Sequence, residues 1–208
     1  QSGLSDSRDG FPVFIKAVEV IKPSLWIFEN VRGMLYRNKN YLHEIIKTLE
    51  KLDYYVDVKL IKAVDFQVPQ NRERLFVVGH KGGYKFPDPF NDKFTAGDAV
   101  KDIAFINRSD DVFLSKSQDE YIKKYEIKSN CLNPRDLHMN KPARTLTCRN
   151  LAGGTGDMHR IAMPDGRRKR LNVREAARLQ SFPDWFQFSG KKNSQFYQIG
   201  NAVPPLLS

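Results

Sequence analysis

The sequence has few cysteines and no long apolar run, and each absence excludes a class of protein. Among its 208 residues there are two cysteines, Cys131 and Cys148, well separated from each other. Small secreted domains depend on several disulfides, so this cysteine content fits a reducing cytoplasm. No apolar segment approaches the roughly 20 residues that a membrane helix needs, and the first residues are polar, without a secretion signal. We therefore expect a protein of a reducing cytoplasm rather than a membrane-spanning or disulfide-linked one.

Histidine is sparse, and charge of one sign is in excess. His43, His80, His138 and His159 lack the short spacing of zinc-ligand pairs, so we expect no metal site. Lys and Arg number 34 against 24 Asp and Glu, which leaves a net charge of +10. This excess favours a polyanionic partner, most simply nucleic acid. A hydrophobic content of 40% with 12% aromatic residues is enough for a folded core.

The first eighty residues alternate between helical and strand patterns. Apolar residues recur with helical spacing over 11–21 and 41–52. Residues 25–28 form an unbroken apolar run that predicts a strand buried on both faces, and 54–61 and 75–78 also predict strands. This alternation predicts an open α/β sheet with helices on its faces.

The pattern changes after Gly82-Gly83 and becomes mostly irregular. A turn at 163–167, with Pro and Gly, predicts a hairpin that joins 160–162 to 170–171. Helical spacing returns at 173–182, with Asn172 as a plausible N-cap.

Three polar clusters lie next to the predicted strands and the final segment. The first cluster, Glu29-Asn30-Val31-Arg32-Gly33, follows the strand at 25–28. Ligands bind at the carboxyl ends of strands in an open α/β sheet. A partly desolvated carboxylate there can act as an acid near neutral pH. A helix-capping or salt-bridged glutamate explains the same residue.

The second cluster is Val68-Pro69-Gln70-Asn71-Arg72-Glu73-Arg74, and the third is Gln198-Ile199-Gly200-Asn201-Ala202-Val203-Pro204-Pro205. If strand geometry begins early, Arg72 and Arg74 lie on the same side and can grip a phosphate or a base edge. The alternative explanation of this second cluster is a solvated strand edge on which the two arginines form ion pairs with Glu73. In the third cluster, glycine before a small polar residue permits close approach of the backbone to a ligand. A simple turn before a terminal helix explains this cluster equally well.

The order of these clusters resembles the C5-cytosine DNA methyltransferase family, of the bacterial restriction–modification type. The ordered set is Glu29-Asn30-Val31, Gln70-x-Arg72-x-Arg74, Arg174-Glu175-Ala176-Ala177-Arg178-Leu179-Gln180-Ser181-Phe182-Pro183 and Gly200-Asn201-Ala202-Val203-Pro204-Pro205, and it spans nearly the whole chain. The resemblance implies part of a Rossmann-like catalytic α/β domain over 1–85 and 171–208. Between them, 86–170 is expected to form a smaller, mostly irregular or β target-recognition domain.

The resemblance also implies an activity and the residues that carry it. The expected reaction moves a methyl group from S-adenosylmethionine to C5 of a cytosine flipped out of double-stranded DNA. The implied residues are Glu29, Asn30, Arg72 and Arg74 for catalysis; Asn201, Ala202 and Val203 for cofactor binding; and Arg72, Arg74, Arg144, Thr145, Thr147, Arg167 and Arg168 for DNA binding.

The sequence departs from the family in one essential respect, because the Pro-Cys-Gln motif with the catalytic cysteine does not occur in it. Gly3-Leu4-Ser5-Asp6-Ser7-Arg8 matches the pattern that follows this motif in the family. Neither Cys131 nor Cys148 lies where the family has its nucleophile. We therefore expect either a portion of a longer enzyme or one half of a split methyltransferase that needs a second chain. In both cases the 208 residues alone should transfer no methyl group.

Two other readings stay open at this point. One is a non-catalytic DNA-binding module whose basic hairpin contacts phosphates. Its residues would be Arg160, Arg167, Arg168, Lys169 and Arg170. The simpler explanation of the same basic residues is a solvated hairpin tip without a ligand. The other is methylation of RNA, which the long recognition region makes less favourable.

Overall fold

The computed structural model describes residues 9–128, 130, 135–153 and 156–208. The Gly3–Arg8 match and Cys131 lie outside these residues. Contacts divide the described chain into two compact units, the first formed by 9–62 with 73–89 and the second by 63–72 with 90–208.

The helices and strands follow one another in a mixed α/β order. In chain order they are α1 (Phe11–Ile21), β1 (Leu25–Val31), α2 (Lys39–Glu50), β2 (Tyr55–Lys62), β3 (Gln70–Asn71), β4 (Glu73–His80), α3 (Ala96–Ala104), α4 (Lys116–Lys128), β5 (Ala143–Arg144), α5 (Cys148–Ala152), β6 (Arg160–Ala162), β7 (Arg168–Arg170), α6 (Val173–Leu179) and α7 (Lys192–Asn201).

The first unit is a three-stranded sheet packed against two helices. The strand order is β1-β4-β2, and both neighbouring pairs are antiparallel. Apolar residues of α1, α2 and the inner sheet face form one core. Its buried members are Val18, Trp26, Met34, Leu42, Ile45, Leu49, Tyr54, Leu75 and Val77. The predicted elements of this region are therefore all present, with ends shifted by a few residues.

The prediction that the 25–28 strand is buried on both faces is wrong. Trp26 is buried in the core, whereas Leu25 and Ile27 are 41% and 49% exposed. Successive residues of a strand face opposite sides of the sheet, and the core of this unit covers only one side of β1.

The second unit packs α3, α6 and α7 around a separate core. Central members of this core are Val100, Leu146, Ile161, Leu179 and Ile199, all without exposed surface. The predicted hairpin is confirmed, because β6 and β7 pair antiparallel across a turn in which Gly166 has φ of 84°.

The helix that follows the hairpin is confirmed, with its predicted N-cap. Asn172 and Glu175 form a reciprocal capping box at the start of α6, and the helix ends at Leu179. The described part of 86–170 also contains α3, α4 and α5, which the sequence pattern did not predict. No helix in the described ranges is both long and apolar enough to cross a membrane.

Candidate cytosine and DNA-binding site

Glu29 and Arg74 meet as an ion pair in the first unit. The register sets Glu29 opposite Phe76 and Val31 opposite Arg74, so Glu29 and Arg74 are diagonal neighbours on one sheet face. Arg74 Nε lies 2.8 Å from Glu29 Oε1, and their side chains are 13% and 24% exposed. Burial lowers the pKa of the Arg74 guanidinium, while the Glu29 charge raises it. The Glu29 carboxylate is thus oriented by the Arg74 guanidinium and is still partly exposed.

Asn30 and Arg32 complete this end of β1. Asn30 Oδ1 accepts a hydrogen bond from the backbone N–H of Val31 at 2.8 Å. Arg32 forms an ion pair with Glu73 at 2.8 Å on an exposed surface. The Asn30 contact holds the backbone N–H of Val31 close to Glu29.

Arg72 has different partners from Arg74, because no continuous strand joins them. β3 ends at Asn71 and pairs in parallel with β5, whereas β4 begins at Glu73 and pairs with the first unit's strands. The early-strand geometry that would align the two arginines is therefore not observed. Arg72 is only 2% exposed, and its guanidinium donates to the carbonyls of Leu146 at 2.8 Å and Ala202 at 3.1 Å.

The predicted threonine segment lies in the second unit, where it follows β5. Thr145 Oγ1 donates to the Asn71 carbonyl at 2.5 Å. Thr147 is the N-cap of α5, in a capping box with Asn150. Arg144 is 42% exposed and lies 3.5 Å from Asp157 in an ion pair. Arg144 therefore retains exposed surface, while both threonine hydroxyls bond to backbone groups, that of Thr145 to the distant Asn71 and that of Thr147 to the nearby Asn150.

The predicted cofactor segment lies at the end of α7. Asn201 is exposed, whereas Ala202 and Val203 are half-buried. Cys148 Sγ donates to Asn201 Oδ1 at 3.0 Å. Burial raises the pKa of the Cys148 thiol, so the sulfur stays protonated near neutral pH and is a poor nucleophile.

The basic hairpin is not a solvated tip throughout. Arg167 is 53% exposed, stacks over Phe113 at 4.0 Å and pairs with Asp165. Arg168 is 18% exposed and pairs with Asp119 and Asp136.

The prediction that the whole basic run contacts phosphates is wrong for two of its members. Arg160 and Lys169 have side chains that are 1% and 0% exposed and are paired with carboxylates. Asp136 and Asp111 come from distant segments of the chain, and burial with ion pairing removes both cations from the exposed surface.

Two buried glutamines near these segments received no role from the sequence. Gln70 and Gln180 have no exposed surface, and Gln70 Nε2 donates to Gln180 Oε1 at 2.6 Å. Both glutamines belong to the motifs quoted above, and this membership was the one sign in the sequence that they could have a role. Within the described ranges, no three His, Cys, Asp or Glu side chains come together as a metal site.

Comparisons with known proteins identify the family of this chain. A family model described as C-5 cytosine-specific DNA methylase matches residues 1–208. The chain is 57% identical over 210 residues to the Type II methyltransferase M.AplI of Arthrospira platensis, and this covers 100% of the chain and 61% of that protein. It is 33% identical over 216 residues to M1.HphI of Haemophilus parahaemolyticus, which covers 95% and 58% respectively. The chain thus spans about six tenths of the length of these relatives.

Solved structures support the fold. The S. pombe Dnmt2 methyltransferase matches with a TM-score of 0.69 at 15% identity, covering 93% of this chain and 68% of that one. A Spodoptera frugiperda DNMT2 mutant matches with a TM-score of 0.69 at 13% identity, covering 98% and 72%. The predicted methyltransferase-like α/β fold is confirmed. Together with the family match, the order of the motifs shows that this chain belongs to the C-5 cytosine-specific DNA methylase family.

Proposed function

We propose that this chain carries the cytosine pocket, the DNA-recognition region and one wall of the cofactor pocket of a DNA cytosine-C5 methyltransferase. The observation that carries the proposal is the 2.8 Å ion pair between Glu29 and Arg74. These residues match the family's cytosine-contacting glutamate and the last arginine of its Gln-x-Arg-x-Arg motif. A simple DNA-binding surface has no use for a partly exposed carboxylate beside the duplex.

The residue types suit the chemistry of cytosine. C5 is a poor nucleophile, and it is activated when a thiolate adds to C6 and a carboxylic group shares a proton at N3. Glu29 takes the N3 role, and Arg74 holds its carboxylate in one orientation. The Pro-Cys-Gln motif that would supply the thiolate does not occur in these 208 residues, so the nucleophile must come from elsewhere.

Access to the base requires that the cytosine leave the stack, at a cost of a few kcal/mol that phosphate contacts offset. Arg144 and Arg167 keep 42% and 53% of their side chains exposed, so they are the best placed of the predicted DNA contacts. Arg168 is only 18% exposed, and Thr145 and Thr147 are half-buried, so we assign these three residues to shaping this surface rather than to contacting DNA. The recognised DNA therefore faces the region 86–170, which we propose as the target-recognition domain.

The residues at the end of α7 fit part of an S-adenosylmethionine site. Asn201 offers an exposed amide for ribose or amino-acid groups, and half-buried Val203 offers an apolar surface for the adenine ring. The Ala202 carbonyl is already held by Arg72 and Gln180, which fixes this backbone. When bound, the cofactor supplies an electrophilic methyl group on a sulfonium centre.

The proposal is tested in a chimera that places the upstream segment of the Arthrospira platensis relative in front of this chain. Glu29→Gln removes the acid while its amide keeps a similar shape. We expect a methylation rate lower by about 10²-fold or more, with DNA affinity retained.

Glu44→Gln, at an exposed position of α2, is the matched control and should leave the rate unchanged. Equal rates for Glu29→Gln and the parent would contradict the assigned role. Activity that appears only when a separate chain supplies the cysteine would identify the split form of the enzyme.

A further inference from the structure

Three segments that are distant in the sequence meet at one buried polar cluster in the second unit. They are the Leu146 backbone beside the threonine segment, the end of α6 at Leu179, and residues 199–202 at the end of α7. The cluster consists of the side chains of Gln70, Arg72 and Gln180, which are all at most 2% exposed. We name it the amide cluster.

Each glutamine of the amide cluster uses both of its amide N–H donors, and each amide oxygen accepts one hydrogen bond. Gln70 Oε1 accepts from the Leu146 N–H at 2.8 Å, and its Nε2 donates to the Leu179 carbonyl at 3.2 Å and to Gln180 Oε1 at 2.6 Å. Gln180 Nε2 then donates to the carbonyls of Ile199 at 3.0 Å and Ala202 at 2.8 Å. Since a backbone N–H can only donate, it fixes the orientation of Gln70, and Gln70 in turn fixes that of Gln180.

Arg72 closes the same cluster from a second side. Its guanidinium bonds to the carbonyl of Leu146 and to that of Ala202, so Ala202 receives two side-chain donors. The predicted DNA-side segment and the predicted cofactor-side segment are thereby tied to the same three side chains. Movement of either segment would leave buried donors unpaired, which is costly.

We infer that Gln180 is a positioning residue that holds Ala202, and with it Asn201 and Val203, in the geometry that the cofactor pocket requires. It acts through the backbone and does not touch the reacting atoms. Gln70 links this geometry to Leu146, so that the segment beside Thr145 and Thr147 is held by the same cluster. The inference rests on the proposed function only for what the segment binds.

Gln180→Glu is the sharpest test, because it is nearly isosteric but turns two donors into a charged acceptor. The carboxylate would face the carbonyls of Ile199 and Ala202 and the amide of Gln70. Gln198→Glu is the matched control, since Gln198 is an exposed residue of α7 whose amide donates to the Ser189 carbonyl.

The first readout is hydrogen exchange measured by mass spectrometry on the chain itself, which does not depend on activity. Gln180→Glu should speed exchange in peptides covering 199–203 at least tenfold, with α3 unchanged, and Gln198→Glu should leave both at the parental rate. Unchanged exchange over 199–203 overturns the inference, whatever the enzyme does.

The second readout is steady-state methylation by the chimera. Gln180→Glu should raise KM for S-adenosylmethionine at least tenfold with a smaller change in kcat. The substitution displaces the wall of the cofactor pocket but does not alter the groups that react with the cytosine. A lower melting temperature with unchanged KM would mean a structural role only and would overturn the inference.

A parent chimera that is folded but inactive would instead count against the proposed function, and the exchange result would still decide the inference. If Gln180→Glu fails to fold, Gln180→Met removes the donors without adding charge and is judged by the same two criteria.

Discussion

Lys169, Asp111 and Glu175 form a buried ion triad in the second unit, and removing its cation should change the free energy of unfolding by a measurable amount. Lys169 Nζ lies 2.9 Å from Glu175 Oε1 and 3.1 Å from Asp111 Oδ2, and all three side chains have no exposed surface. Burial raises the pKa of Glu175. The pKa of Asp111 is lowered, because hydrogen bonds from the Arg108 N–H and Lys169 outweigh the effect of burial. One cation thus serves two carboxylates, and one of them also caps α6.

Lys169→Met keeps the apolar stem and removes the charge. It leaves two buried carboxylates without their cation, and breaking a buried pair in this way costs about 3–5 kcal/mol of the free energy of unfolding. The cost should shrink as the pH falls, because the uncompensated carboxylates can then take up protons.

Urea unfolding of the protein, followed by circular dichroism at pH 7 and pH 5, measures both effects. Lys123→Met is the matched control, since Lys123 is 62% exposed in its pair with Asp119 and a surface pair contributes at most about 1 kcal/mol. Equal losses for Lys169→Met and Lys123→Met would refute the reasoning.

Two further predictions concern the packing around Thr147 and the pH dependence of stability. Gly200→Ala should lower the free energy of unfolding by about 1–3 kcal/mol, because an added Cβ overlaps the backbone of Thr147 and Cys148. Thermal melts measure this loss, and Gly10→Ala, at a position with open space around it, is the control. Burial, with the Arg144 charge, lowers the pKa of His159 from 6.5 to about 4. Between these two pH values the unfolded chain binds a proton at His159 and the folded chain does not. About 3 kcal/mol of the free energy of unfolding is therefore lost as the pH falls from 6.5 towards 4. His159→Gln should flatten this part of the stability profile, and an unchanged slope would contradict the burial of a neutral imidazole.

Local signals in the sequence were enough for the elements, because they act over a few residues. Asn172 at the start of the helical pattern predicts the N-cap of α6, and the structure adds its reciprocal bond with Glu175. The helix over 11–21 ends before Pro23 for an equally local reason. The turn that contains Gly166 likewise predicts the β6–β7 hairpin.

Contacts between distant segments were beyond the same reasoning. Spacing cannot show that Glu29 meets Arg74, since the register of β1 against β4 sets that pair. The basic run that includes Lys169 looks like a solvated tip in the sequence, and only the tertiary structure places the carboxylates of Asp111 and Glu175 against Lys169. Gln70 and Gln180 were visible as motif letters, but their mutual hydrogen bond depends on tertiary structure alone.

The most direct test of the central claim is the identity of the methylated base. Duplex DNA incubated with S-adenosylmethionine and the chimera is digested to nucleosides and analysed by mass spectrometry, beside the 208-residue chain alone. The account predicts 5-methyldeoxycytidine from the chimera and no methylated nucleoside from the chain by itself. A methyl group on any other atom, or an equal yield of 5-methyldeoxycytidine from the chain alone, would contradict it.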